Sequence, residues 1–164
     1  MSKMDASHIP LPPLLPDWFT SDQGRALLDS EIQALPRLVP DEFYRVGLQY
    51  GLNHVALLEN MNVEQSVYCD AGLSEGVDRH NRVIALPEAL PLAESSIDLA
   101  VLLHTLDYCE DPHRVLREVA QVLSPEGVLV LSGFHPFSLW GLKRKIARQQ
   151  PPFDARFISR AVVQ

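Results

Sequence analysis

The segment that decides the fold is residues 86–133, which read LPEALPLAESSIDLAVLLHTLDYCEDPHRVLREVAQVLSPEGVLVLSG. Residues 97–103 are apolar on both faces of a strand, which is typical of a parallel strand covered by helices on both sides. A polar junction over residues 104–111 leads into a helix, and a turn then leads into a second apolar strand at residues 128–131. This strand–helix–strand order predicts a parallel sheet with a right-handed crossover.

The helix of this unit has a clear start and a single apolar face. Asp111 is a natural N-cap, and Pro112 fits the first helical position because the N–H that it lacks has no partner there. Its apolar stripe consists of Val115, Leu116, Val119, Ala120 and Leu123. A tight turn at residues 125–127 is expected to end the crossover.

The remaining chain supplies further elements of the same kind. Short strands are predicted at residues 43–48, 65–69 and 82–85, with a helix of a few turns after the first of them. An earlier helix begins at Thr20, whose spacing to Gln23 fits a capping box, and ends at Pro36. A last helix is predicted over residues 137–149.

These elements predict one α/β domain, a doubly wound, mostly parallel, Rossmann-like sheet with helices on both faces. It is assigned to residues 20–164, and residues 1–19 are expected to form a proline-rich extended arm.

The composition limits the possible partners. The formal net charge is −7, which argues against a broad nucleic-acid surface, since that would need a basic face. Cys69 and Cys109 fit no metal or redox spacing and are expected to be reduced thiols in a cytoplasmic protein. No apolar run is long enough for a membrane span.

Ligands of open parallel sheets bind at the carboxyl ends of the strands, so the loops there are the candidate site. The polar groups expected at this edge lie in residues 47–51, at Asp70, in residues 86–88, at residues 104–107 and in residues 134–136.

The segment from Leu90 resembles the second half of a class I S-adenosylmethionine-dependent methyltransferase domain, of methyltransferase type 11. The matching features are the Leu90-Pro91-Leu92 turn, the Ile97-Asp98 pair, His104, and residues 122–127 ahead of the next strand. Residues 133–142, GFHPFSLWGL, are similar to a narrower bacterial branch with a Gly-Phe-x-Pro-x-Ser segment and a weakened cofactor loop. The family usually adds two strands beyond the fifth, and the chain is expected to lack them.

The resemblance implies S-adenosylmethionine as cofactor and assigns residues to it. The family's glycine-rich loop, near D-x-G-x-G-x-G, is matched by Gly47 and Gly51, with Gln49 between them. An ordinary strand–helix turn explains these glycines equally well. Asp70 has the spacing of the acid that binds the ribose hydroxyls, or it is a turn residue before Gly72.

Two further positions of the family pattern are altered or open. The acid that usually faces the adenine amine falls on Leu86, and Glu88 is its nearest substitute. His104 follows the fourth strand and lies either near the methyl acceptor or packed below the cofactor site. His104 and His135 are the candidates for a catalytic group, and no metal site is predicted.

Two functional hypotheses follow. The first is a methyltransferase acting on an unknown small-molecule or macromolecular acceptor. The second is a methyltransferase-fold binding or regulatory protein without transfer activity, which the substituted loop and Leu86 favour. A nicotinamide-dependent oxidoreductase would need a GxGxxG loop, which is absent from the sequence.

Overall fold

The computed structural model describes residues 18–72 and 81–134, which form a five-stranded sheet. Its strands are β1 (Tyr44–Tyr50), β2 (Val63–Asp70), β3 (Arg82–Ile84), β4 (Ile97–Leu103) and β5 (Leu123–Ser132). Their order is β3-β2-β1-β4-β5, and every neighbouring pair is parallel. The doubly wound parallel sheet expected from the sequence is confirmed.

Helices cover both faces of this sheet. They are α1 (Asp22–Leu38), the short α2 (Thr105–Tyr108) and α3 (Pro112–Val122). The apolar face of α1 packs with Leu99, Val101 and Leu103 of β4 on one side of the sheet. On the other side, α3 packs with Leu48 of β1 and with Ala100 and Leu102 of β4. Strand β4 is therefore buried on both faces from Leu99 to Leu103, as the apolar run of these five residues predicts.

The central strand–helix–strand unit forms as expected, with one difference. The Asp111 side chain accepts from the backbone N–H groups of His113 and Arg114, which caps α3. Strand β5 begins earlier than predicted, at Leu123, directly after the helix. Its register against β4 shifts after Leu123, which pairs with Ile97, so that Val128 pairs with Leu99. The four residues between Leu123 and Val128 are the expected turn, accommodated as an irregularity within the strand.

The N-terminal helix differs from its prediction at both ends. Ser21 is the N-cap, because its hydroxyl accepts from Gly24 N; the capping box at Thr20 was wrong. Pro36 lies inside the helix, which continues to Leu38. Pro36 has no N–H to donate to the carbonyl of Ile32, and the helix ends two residues later.

The connection from β1 to β2 contains no helix of several turns, contrary to the sequence prediction. Only one turn of 3₁₀ helix forms there, at Leu58–Asn60. Both flanking strands are longer than expected, since β1 continues to Tyr50 and β2 begins at Val63.

Asp98 anchors the opposite end of the sheet. Its Oδ2 accepts from the backbone N–H groups of Arg45 and Val46, each at 3.1 Å. This ties the start of β4 to the start of β1 and leaves Asp98 away from the candidate site.

Some predicted segments lie outside the described residues. These are the helix over residues 137–149 and the arm over residues 1–19 apart from Trp18 and Phe19. Among the helices in the described ranges, none combines the length and the apolar character that crossing a membrane requires.

Candidate functional site

The carboxyl ends of the strands bring most of the predicted site residues to one edge of the sheet. Strand β1 lies between β2 and β4, so the strand order reverses where β1 and β4 end. The predicted residues found at this edge are Gly51, Asp70, Leu86, Glu88 and His104. Gly47 instead lies in the middle of β1, paired with Ser66 and Leu99, and His135 is outside the described residues.

Gly51 lies at the point where three strands end. Its φ is +81°, and its N–H donates to the carbonyl of Cys69 at 3.0 Å. A Cβ at this position would lie 3.2 Å from the carbonyl oxygen of Leu103. Glycine is required here by both the left-handed backbone and the close approach of β4.

We expect Gly51→Ala to destabilise the protein by about 1–3 kcal/mol, because a non-glycine residue would be strained at this φ. Gly72→Ala is the matched control, since Gly72 has a φ of +89° but its Cβ would make only an ordinary contact, 3.4 Å from Ile84. Urea unfolding of both variants measures the difference. A smaller loss for Gly51→Ala than for Gly72→Ala would contradict the close approach to Leu103.

Gln49 holds the loop that follows β1 from the inside. Its side chain is fully buried, its amide donates to the carbonyl of Val55 at 2.8 Å, and its Oε1 accepts from Leu57 N at 3.1 Å. The same amide lies 3.3 Å from the carbonyl of Gly51. The Gln49 side chain is therefore directed into the protein and fixes the loop that follows β1.

Asn53 belongs to the loop that follows β1. Because β1 continues to Tyr50, Gly51 and not Gly47 is the first glycine after the strand, and Asn53 is the second residue after Gly51. Asn53 is fully buried and donates to the carboxylate of Asp70 at 2.7 Å and to the carbonyl of Cys69 at 3.2 Å. Asn53 therefore links the loop after β1 to the end of β2.

Asp70 ends β2 and is 4% exposed. Its Oδ1 accepts from Gly72 N at 2.6 Å, which is the turn contact that the sequence suggested. Arg82 donates to both oxygens, from Nε at 2.9 Å and from Nη2 at 3.0 Å. Burial alone would raise the pKa of Asp70, but the hydrogen bonds from Arg82, Gly72 and Asn53 lower it below its usual value.

The segment after β3 presents an apolar side chain to the same edge. Leu86 is 40% exposed, and Glu88 is half-buried. The hydroxyl of Tyr50 donates to the carbonyl of Ala85 at 2.8 Å, which fixes the start of this segment to the end of β1. Leu86 offers no hydrogen-bond acceptor on its side chain, so any ring bound here would gain apolar contact.

His104 is buried between two carboxylates at the end of β4. It is 1% exposed, and its backbone has a φ of +54°. Its Nδ1 lies 2.9 Å from Asp107 Oδ2, and its Nε2 lies 3.1 Å from Glu31 Oε1. The rings of Phe19 and Phe134 pack against the imidazole, with centroids at 5.0 and 4.4 Å.

The two carboxylates bound to His104 favour the protonated, positively charged form of its imidazole. Burial alone would lower its pKa, but the hydrogen bonds to Asp107 and Glu31 raise the pKa of His104 to about 9. Burial raises the pKa of Asp107, against the effect of His104 and of the Phe134 N–H, which donates to it at 3.0 Å. With both ring nitrogens bound, the contacts favour the packing interpretation of His104 over direct contact with an acceptor.

Three residues of this edge were missed by the sequence interpretation. Glu31 carried a signal, because it lies on the apolar stripe of its helix, four residues after Leu27 and four before Leu35. Arg82 and Asn53 carried none, since their contacts with Asp70 depend on how separate strands and loops meet in space. In the described ranges, no cluster of histidine, cysteine and carboxylate groups could hold a metal ion.

Comparisons with known proteins agree with this architecture. Residues 45–131 match the sequence profile of a family described as "Methyltransferase domain". The uncharacterized protein YafS of Escherichia coli is 35% identical over 72% of this chain and 55% of its own length. A malonyl-[acyl-carrier protein] O-methyltransferase of Methylovorus is 40% identical over 42% of this chain and 23% of its own length.

Solved structures share the fold. A possible histamine N-methyltransferase of Thermotoga maritima, described as dependent on S-adenosylmethionine, superposes with a TM-score of 0.67. It is 23% identical, and the match covers 90% of this chain and 74% of that protein. The chain spans about half the length of YafS.

Proposed function

Since this chain belongs to the class I S-adenosylmethionine-dependent methyltransferase family, we propose that the carboxyl edge of its sheet binds S-adenosylmethionine for methyl transfer to an acceptor. The observation that carries the proposal is the contact between Gly51 and the end of β4. It places a residue without a side chain at the reversal of strand order, where its N–H donates to Cys69, the residue before Asp70. A Cβ here would meet the carbonyl of Leu103, so glycine allows the ends of β1 and β4 to lie close together at this edge.

The residues at this edge fit S-adenosylmethionine if Asp70 exchanges some of its present hydrogen bonds for hydrogen bonds from the ribose. The methionine part would lie over the strand ends that meet at Gly51, the ribose would face Asp70 at the end of β2, and Leu86 would offer apolar contact to an adenine ring. This exchange is needed because the Asp70 carboxylate already accepts hydrogen bonds from Asn53, Gly72 and Arg82.

The chain's own part in the reaction is to bind and orient. When bound, S-adenosylmethionine supplies an electrophilic methyl group on a sulfonium centre. The loop held by Gln49 and the β4 junction held by His104 form a fixed frame around the strand ends, and such positioning supplies much of the rate in a transfer of this kind. His104 acts in this proposal as a positioning residue, because both of its ring nitrogens are bound.

A second function, a methyltransferase-fold binding or regulatory protein, is favoured by two observations. Leu86 falls where the family pattern has an acid near the adenine, and the glycine-rich loop of the pattern is represented only by Gly47 and Gly51, with Gln49 and Tyr50 in place of small residues. A protein of this kind would bind the cofactor weakly or not at all and would transfer no methyl group.

Isothermal titration calorimetry with S-adenosylmethionine and S-adenosylhomocysteine tests the proposal. We expect saturable binding of both, with affinities in the micromolar to millimolar range, about 1 μM–1 mM, as is usual for enzyme ligands. No heat at millimolar concentrations of either compound would contradict methyl transfer and favour the second function.

A further inference from the structure

The carboxylate of Asp70 has as many donors as it can accept. An ionised carboxylate offers about four lone-pair positions. In the described ranges its donors are Gly72 N, Asn53 Nδ2, Arg82 Nε and Arg82 Nη2, at 2.6, 2.7, 2.9 and 3.0 Å. A ligand that donates hydrogen bonds to Asp70 must therefore displace one of these groups.

We propose that Arg82 determines the affinity of the cofactor site by competing with the ribose hydroxyls for Asp70. The proposal rests on the proposed function, since it needs the cofactor to bind at this edge. In the free protein the guanidinium of Arg82 occupies both carboxylate oxygens. On binding, Arg82 turns away and the two ribose hydroxyls take its place.

Arg82 is the donor best able to leave. The N–H of Gly72 belongs to the backbone of a tight turn, two residues from Asp70. Asn53 is fully buried and is also bound to the carbonyl of Cys69. The side chain of Arg82 is 21% exposed and starts on β3, the edge strand of the sheet, so it can rotate into water by changes in its own side-chain angles.

The geometry of the Arg82 contact matches the ligand that would replace it. Nε donates to Oδ2 and Nη2 donates to Oδ1, so the departure of Arg82 frees one position on each oxygen. A vicinal diol has two hydroxyls that can each donate to one oxygen of the same carboxylate. Departure of Asn53 or Gly72 would free a position on one oxygen only.

The exchange weakens binding because a charged contact is given up for neutral ones. Hydrogen bonds between ionised groups are stronger than those from a neutral hydroxyl. Removing the guanidinium should therefore tighten binding by roughly tenfold or more. Lysine at this position keeps the charge but cannot form two parallel hydrogen bonds, so its effect should be intermediate.

Calorimetric titration of S-adenosylhomocysteine into the wild type, Arg82→Gln, Arg82→Lys and Arg37→Gln tests the competition. Arg37 is exposed on α1 and is the charge-matched control, for which the Kd should equal that of the wild type. The proposal expects the Kd to fall by roughly tenfold in Arg82→Gln and by less in Arg82→Lys. An equal or weaker affinity in both variants would overturn the competition while leaving cofactor binding intact.

Two further measurements separate this proposal from the proposed function. Adenosine and 2′,3′-dideoxyadenosine are titrated into the wild type and Arg82→Gln, and only adenosine should gain affinity in the variant. An equal gain for the compound without hydroxyls would overturn the competition for the ribose. Absence of S-adenosylhomocysteine binding in the wild type and in both Arg82 variants would overturn the proposed function, and the competition with it.

Discussion

Raising the pH from 6.5 to 9 should lower the free energy of unfolding by roughly 2–3 kcal/mol, through the loss of one proton from His104. The contacts with Asp107 and Glu31 raise the pKa of His104 to about 9 in the folded protein, from 6.5. A raised pKa means that the folded protein holds the proton more tightly than the unfolded chain. The stabilisation is therefore complete below about pH 6.5 and is lost as the pH rises through 9.

The groups that form hydrogen bonds with His104 come from three parts of the fold. Glu31 belongs to α1, Asp107 belongs to α2, and the backbone N–H of His104 donates to the carbonyl of Ser132 on β5. The aromatic rings of Phe19 and Phe134 exclude water from the imidazole. Deprotonation would leave both carboxylates without a cation, and α1 would lose its buried link to β4.

Urea unfolding at half-unit pH steps measures this effect, with the midpoint and the slope recorded at each pH. His104→Gln is the direct control, since the pH dependence between 6.5 and 9 should disappear with the imidazole. Glu31→Gln removes one of the two carboxylates and should reduce the dependence without abolishing it. An unchanged dependence in His104→Gln would assign the titration to another group and contradict this description.

Asp70→Ala should destabilise the protein by about 2–4 kcal/mol, and it should weaken cofactor binding more in the Arg82→Gln background than in the wild type. The substitution removes the acceptor of the Arg82 guanidinium, of the Asn53 amide and of the Gly72 N–H. Asn53 is buried, so its amide would lose a partner that water cannot easily replace. The loss is smaller than for a fully buried ion pair, because Arg82 can reach solvent.

The stability effect should depend on pH in the opposite sense to that of His104. Because the pKa of Asp70 is lowered in the folded protein, its contribution is present above its usual pKa of 3.8 and is lost as the pH falls further. Chemical unfolding at neutral pH and at pH 3 should thus show a smaller difference between the wild type and Asp70→Ala in acid.

The double variant Asp70→Ala with Arg82→Gln provides the matched control for Asp70. Its loss of stability should be smaller than the sum of the two single losses, by about 1–3 kcal/mol, because the second substitution removes the charge that the first leaves unpaired. The Arg82→Gln substitution should also lose its effect on S-adenosylhomocysteine affinity when Asp70 is alanine. Additive losses would show that the two side chains do not interact in solution.

The part of the fold that depends on local sequence was predicted well. Strand β4 is defined by a run of five apolar residues after Asp98, and α3 by the Asp111 cap and one apolar stripe, so both can be predicted without tertiary information. The connection after β1 was predicted wrongly as a helix. There the loop is fixed by Gln49, whose buried side-chain amide binds backbone groups up to eight residues away. The pattern of apolar residues in the sequence gives no sign of such a contact.

The sequence predicted where the candidate site lies, but it did not predict the contacts among the residues there. Asp70 and His104 were expected at the strand ends because parallel strands bring their carboxyl ends together. The position of Gly51 as the first loop glycine could not be read, since the sequence did not reveal that β1 continues past Gly47. The pairing of Asp70 with Arg82 joins residues twelve positions apart across two strands, and it follows from strand register alone.

The central claim is that the carboxyl edge of the sheet binds S-adenosylmethionine, and titration of S-adenosylhomocysteine into ¹⁵N-labelled protein tests it most directly. Glycine amides are convenient probes, because Gly51 and Gly72 lie at this edge whereas Gly127 lies beside Leu123 at the opposite end of the sheet. We predict saturable shifts of the Gly51 and Gly72 resonances, with that of Gly127 nearly unchanged. No saturable shift at millimolar ligand, or a shift confined to Gly127, would contradict the claim.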